Sequence, residues 1–507
     1  MKLFNKNKII SIIGFCVFAV IIFHVFLWVT YLFRPADYNR TNMVGLEQEN
    51  VDMVYVGGSA AFVYWEPLKA WKDCGYTSYS YATDTIQAEN IKAYIEEARK
   101  SQNPDLFVIG VRAFQYYSDE QEEAGLRNGT NGMDMTSVSR YRLLKDYFAN
   151  RNLTEDTDIL SYYLDIAKYH TNTANLSSSE AWGLINNNGT SPYKGWKWMD
   201  SYAYLDESVN FETDERAELP ENDQNTLIEL LEYCQSEKIN ALFVVCPYWI
   251  TQEEQAKYNT IGDIITEYGF QYLNANEYYD EMKLDWSTDF YNKNHVNLFG
   301  AAKYTDFLEK YISENYSLTD HRGDSDYASW DETYKKFAED EKTHANIVSN
   351  LKNDVEKTYE IQKQMKSARS FTEWEELAED SRYTLIIAGT GEISWPENIA
   401  DQKVLDKWNL HERSSDYIRV MNGQETLDSN DDKGNLVTSG VLGIWNDTDY
   451  SVSIENKTPV IKVSDKEYTG KEADNIILIF DNNYRQVIGA LTLNLDKGTV
   501  SISYINE

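Results

Sequence analysis

Residues 52–62 read DMVYVGGSAAF, and no other stretch limits the fold as tightly. Met53 to Val56 are uniformly apolar or aromatic, the pattern of a strand buried on both faces of a parallel sheet. Gly57 and Gly58 follow at once; lacking a Cβ, they let the backbone turn sharply and come close to a pocket. Ser59 is therefore expected where a first strand ends and a helix begins, which is where open α/β sheets gather ligands. Its own N–H, at a helix N-terminus, is available to developing negative charge.

Similar runs recur. LFVIGV (106–111), INALFVVCP (239–247) and the short 270–273 read as further buried strands, separated by helical patterns over 85–100, 222–236, 253–268 and 300–314. This alternation predicts an α/β domain with a doubly wound, flavodoxin-like parallel sheet and right-handed crossovers. Arg112 stands just past the second long run and is a pocket candidate by that position. Residues 113–220 break the alternation with aromatic-rich, Asn-rich, Gly-punctuated segments, and are expected to form an insertion that roofs the site.

The ends differ from this centre. Residues 1–8 carry three lysines and residues 9–33 are almost wholly apolar, ending in Trp28, Tyr31 and Phe33. At 1.5 Å per residue such a run reaches about 37 Å, enough to cross a bilayer core of roughly 30 Å with tilt. It is expected to be an uncleaved single-pass anchor, N-terminus cytoplasmic and the bulk of the chain extracellular. Residues 320–382 are charged and helical in period, a helical connector, and from Tyr383 seven short β-like runs predict a β-sandwich. The expected division is 1–34 for the tip and anchor, 35–318 for the α/β domain, 319–382 for the connector and 383–507 for the sandwich. A net charge of −35 argues against nucleic acid, whose binding depends on Lys and Arg neutralising phosphates. Four cysteines at this spacing make neither a disulfide framework nor a metal site, and neither metal nor cofactor is expected.

A serine needs a base. Beyond the apolar segment the chain has five histidines, and His295, in DFYNKNHVNLFG (289–300) before a helical pattern, stands out. His170, His321, His344 and His411 lack such a setting. A serine after the first strand with a histidine just before the last helix of the domain resembles the SGNH (GDSL-like) hydrolases, over roughly residues 1–315. The resemblance implies that Ser59 attacks an ester carbonyl, that His295 takes its proton, and that an acid three residues earlier orients the ring. Three before His295 is Asn292; the nearest acids are Asp289 and Asp285. Asp289 reaching from the preceding turn, Asn292 orienting without charge, and a weakened site are all open, with Asp289 the expected orienter. The resemblance also implies an oxyanion hole of the Ser59 N–H, beside Gly58, and a glycine matched by position to Gly75. Arg112 stands near where the family has an asparagine. The membrane anchor is similar to that of the branch containing the alginate O-acetylation and teichoic-acid D-alanine transfer proteins.

The expected function is a membrane-anchored O-acyl esterase or O-acyltransferase acting on a cell-surface carbohydrate polymer, with a membrane-bound O-acyltransferase as the partner of a transferase. Abundant Tyr (38) and Trp (13) suit stacking on sugar rings. Two alternatives are a catalytically silent surface protein that binds glycans, and a scaffold that recruits an acyltransferase through its anchor.

Overall fold

The computed structural model describes residues 6–115, 122–150, 158–185, 191–203, 211–379, 382–390, 396–410, 415–422, 425–431, 435–443, 448–471, 475–496 and 499–505. His411 and parts of the expected insertion lie outside them. The chain divides into two compact units, Met1–Asn346 and Ile347–Glu507.

The first unit opens with the helix Lys6–Phe33, whose stretch Ile10–Phe33 has a mean hydropathy of 2.8 and is long and apolar enough to cross a membrane. Five strands follow: β1 (Met53–Gly57), β2 (Ser78–Ala82), β3 (Leu106–Gly110), β4 (Ala241–Val245) and β5 (Gln271–Asn274). They form one all-parallel sheet in the order β2-β1-β3-β4-β5, with Val54 paired to Tyr79 on one side and Phe107 on the other. All five residues of β1, β2 and β4 are buried; β1 and β4 are apolar throughout, as strands covered on both faces are, while β2 buries Ser78 and Ser80 with their hydroxyls hydrogen-bonded. The chain leaves β1 in one direction for β2 and returns across it to β3. The carboxyl ends of β1 and β3 therefore diverge around a crevice.

One part of the insertion borders that crevice: Trp196 and Lys197 bond the helix that Ser59 opens, and the Lys197 charge acts on His295. The insertion's helices Asp165–Tyr169 and Ser179–Ile185, with the turn Thr173–Ser177, pack instead against the carboxyl end of the apolar helix. There Arg34 is buried, its Nε 2.6 Å from Asp165 Oδ2, and the equally buried Arg140 donates through Nη2 to Asp165 Oδ1 at 2.7 Å. Arg34 Nη1 also donates to the carbonyls of Asn131 and Met133. Asn175 Nδ2 donates to the carbonyl oxygens of Leu32 and Arg34, the helix's last turn.

The expected connector is mainly one 40-residue helix, Ala328–Ser367, and each half packs within its own unit. In the first, His344 stacks on Trp198 and bonds Asp200 at 2.6 Å. In the second, Thr358 donates to the buried Asp481 at 2.6 Å. Among its described residues that second unit holds ten strands: β8 (Tyr383–Gly389), β9 (Asp416–Asn422), β10 (Glu425–Asp431), β11 (Asn435–Leu442), β12 (Thr448–Glu455), β13 (Thr458–Val463), β14 (Lys466–Thr469), β15 (Asn475–Asp481), β16 (Gln486–Asp496) and β17 (Thr499–Tyr504). They make two antiparallel sheets, β10-β9-β8-β15-β16-β17 and β11-β12-β13-β14. Ile386, Ile418 and Leu478 of the first share one buried cluster with Val452, Ile454 and Ile461 of the second.

Candidate active site

A cavity of about 200 Å³ opens at the β1–β3 crevice, lined by Gly58 and Ser59 after β1, Thr85 and Ile86 after β2, Arg112 after β3, Cys246 after β4, and by Asn294 and His295. Gly58 is extended, and a Cβ there would come within 2.8 Å of the Ile86 Cγ2 methyl, so any other residue would force that side chain to shift. Ser59 opens the helix Ser59–Tyr64.

His295 arrives on a hairpin of β6 (Phe290–Asn292) and β7 (His295–Val296), with Lys293 and Asn294 at its tip. Ser59 Oγ lies 2.7 Å from His295 Nε2, although 236 positions separate them in the chain. On the ring's other side Nδ1 is 3.2 Å from Asn292 Oδ1. The Asn294 backbone N–H donates to the same Oδ1 at 2.8 Å, which fixes the oxygen rather than the amide nitrogen at that position. Nδ1 must then carry the proton and donate. Nε2 is left with a lone pair facing the serine hydroxyl, the tautomer a general base requires. Burial, then the positive charges of Arg112 and Lys197, hold the imidazole's pKa down to about 3, so it is neutral throughout the physiological range.

Asp289, expected to orient the ring, is engaged elsewhere. Its buried carboxylate accepts from Lys303 Nζ at 2.6 Å, from the Asp285 N–H at 2.7 Å and from the Thr288 hydroxyl at 2.9 Å. The main chain explains the displacement. Asn297 N–H donates to the Asp289 carbonyl, and a Cβ on Gly300 would strike that same oxygen, so Asp289 is packed beneath the start of the helix Leu298–Asn315. The residue on Nδ1 is Asn292.

Gly75 is also misplaced by the sequence reading. It caps the helix Pro67–Cys74 in the left-handed region (φ 85°), and its N–H donates to the Ala70 and Trp71 carbonyls. It precedes β2 by three residues, which puts it at the amino edge of a parallel sheet, whereas the cavity is at the carboxyl edge. On the β2 side the cavity is walled by Thr85, itself left-handed at φ 53°, and Ile86.

Arg112 does face the cavity. Its guanidinium lies 3.8 Å above the Tyr248 ring centre and donates to the Asn294 carbonyl at 3.0 Å and to Asn294 Oδ1 at 2.7 Å. Asn294 thus ties the arginine to the histidine hairpin, a role its place in the run NKNH left unmarked. Beneath the cavity Cys246 Sγ and the hydroxyls of Tyr55 and Tyr304 form a buried cluster at 3.1–3.5 Å, and burial pushes the thiol up to about 11. Elsewhere Asp73, Asp306 and Glu309 converge as metal ligands could, but Lys69 lies between them, 2.7 Å from Asp73 and 2.5 Å from Asp306. No known protein family matches this chain, and no curated protein matches it.

Proposed function

We propose that the protein is a membrane-anchored serine O-acyl esterase or O-acyltransferase of the SGNH kind, acting on a cell-surface carbohydrate. The observation that carries this reading is the 2.7 Å contact between Ser59 Oγ and the unprotonated nitrogen of a histidine whose tautomer is fixed from behind. The reversal of strand order at β1 supports a doubly wound, SGNH-like sheet, and the facing antiparallel sheets support a β-sandwich.

In the proposed reaction His295 Nε2 takes the Ser59 proton as Oγ attacks the acyl carbonyl. Negative charge grows on the carbonyl oxygen beside the Ser59 N–H and the Arg112 guanidinium. The protonated imidazole then gives its proton to the departing sugar oxygen, leaving an acyl-serine. A water or a second hydroxyl, deprotonated by the same nitrogen, releases the acyl group. Asn292 orients the ring without stabilising its charged form.

A fluorophosphonate probe tests this. The full-length protein should be labelled, and Ser59→Ala and His295→Ala should abolish labelling. A second reading, a catalytically silent glycan-binding surface protein, is favoured by one observation, the neutral amide where a carboxylate is usual. Absence of labelling in folded protein would decide for it.

A further inference from the structure

The apolar helix is bare for most of its length and then abruptly covered. Every residue from Ile10 to Phe26 is exposed, Trp28 is the last exposed one, and Thr30, Leu32 and Arg34 are buried. Ile10 to Trp28 spans about 28 Å, close to the roughly 30 Å hydrocarbon core. The covering begins where a bilayer would end.

The insertion that supplies the covering is itself apolar on the outside. Between residues 34 and 346 seven large apolar side chains are exposed among those described, and six of them lie within 138–176: Val138 (65%), Tyr141 (59%), Ile159 (37%), Leu160 (60%), Leu164 (38%) and Leu176 (51%). They form a continuous run of elements away from the anchor. Leu176 follows Asn175, which bonds the helix's last turn, and its carbonyl accepts from Trp182 Nε1, whose ring packs edge-on to Trp28 at 5.1 Å. Leu164 precedes Asp165, the partner of Arg34, and Leu160 belongs to the adjoining helix Leu160–Tyr163. Tyr163 in turn contacts Tyr141. A concentration of exposed apolar groups beginning at the emergence of a membrane-length helix matches the chemistry of an interfacial surface.

We propose that residues 138–150 and 158–182 seat on the bilayer itself, with Leu160, Leu164 and Leu176 entering the headgroup–acyl boundary. This rests on the reading of the N-terminal helix as membrane-spanning. Because the chain is strongly acidic, the seating is apolar rather than electrostatic and should not weaken with salt.

Spin labels on the full-length protein, in nanodiscs containing no other protein, test the idea by comparing collision with oxygen, which concentrates in lipid, against a water-soluble nickel chelate. A label on native Cys16, with Cys74 replaced by Ser, reports the anchor. Labels at Leu160→Cys and Leu176→Cys, with Cys16 and Cys74 replaced, report the platform, and Glu253→Cys the aqueous reference. Oxygen-dominated collision at 160 and 176, unchanged between low and high NaCl, is the expected result. Oxygen-dominated Cys16 with water-like 160 and 176 would overturn the platform while leaving the anchor intact. Water-like Cys16 would overturn the spanning helix and the platform with it.

Discussion

The most informative pair of atoms is His295 Nδ1 and Asn292 Oδ1. A neutral orienter leaves the imidazole a weak base, since its charged form finds no opposite charge behind it and is opposed first by burial and then by Arg112 and Lys197. Asn292→Asp should therefore speed probe labelling by about tenfold or more, because replacing a carboxylate by an amide at this place in a triad costs far more than that. The same substitution should raise the apparent pKa of the lower limb of the pH–rate profile. In the native chain that limb lies far down: labelling should stay nearly level from pH 7 to pH 5, where a histidine of ordinary pKa 6.5 would lose about 25-fold. Stability follows the same group with its own sign. Between pH 6.5 and about 3 the unfolded chain binds a proton that the folded one refuses, so this contribution is complete above pH 6.5 and is lost as pH falls toward 3. Gly58, Ser59 and Arg112 were legible because a strand end fixes where its next residue goes, and His295 because it stands just before the domain's last helical pattern. Asp289 was not, because sequence distance from a histidine does not reveal which carbonyl the following helix must hold, nor that Lys303 claims the carboxylate.

At the scale of elements the histidine hairpin depends on the helix behind it. Asn297 is fully buried, accepts from the Phe299 and Gly300 N–H groups through Oδ1 and donates through Nδ2 to the Thr288 carbonyl. Asn297→Ala should cost about 1–2 kcal/mol from the lost cap, visible as a lower Tm. It should also slow labelling, since the carbonyls it holds lie just before the hairpin. Gly75 shows how an element can mislead: read by order along the chain it precedes a strand near the site, but in a parallel sheet that places it at the opposite edge. In the second unit all seven expected runs fall on strands, while β10, β13 and β14 went unread. Pro459 in TPVIKV weakens a strand signal, yet it pairs with Ile454, and the tight turn before it uses Asn456 and Lys457 at positive φ where Asn-Gly is the recognisable pair.

For the molecule as a whole, the division into an α/β unit that opens on a long apolar helix and a β unit was legible from the change in apolar period. The fate of the insertion was not, because its polar and aromatic composition gives no hint of whether it faces a crevice or a helix. The junction it forms is testable. Asp165→Ala would leave two buried guanidinium groups without their shared carboxylate, and should destabilise the first unit by about 3–5 kcal/mol, read as the first thermal transition of the full-length protein in detergent. Only Pro35 and Ala36 separate that junction from Asp37, which caps the next helix, Tyr38–Gly45. There is no leash here, so if the helix spans a bilayer, the first unit cannot sweep a volume above it as a domain on a flexible tether does. Its reach is then a fixed altitude, and under the proposed chemistry a polymer strand outside that shell would have to be carried inward before it reacts.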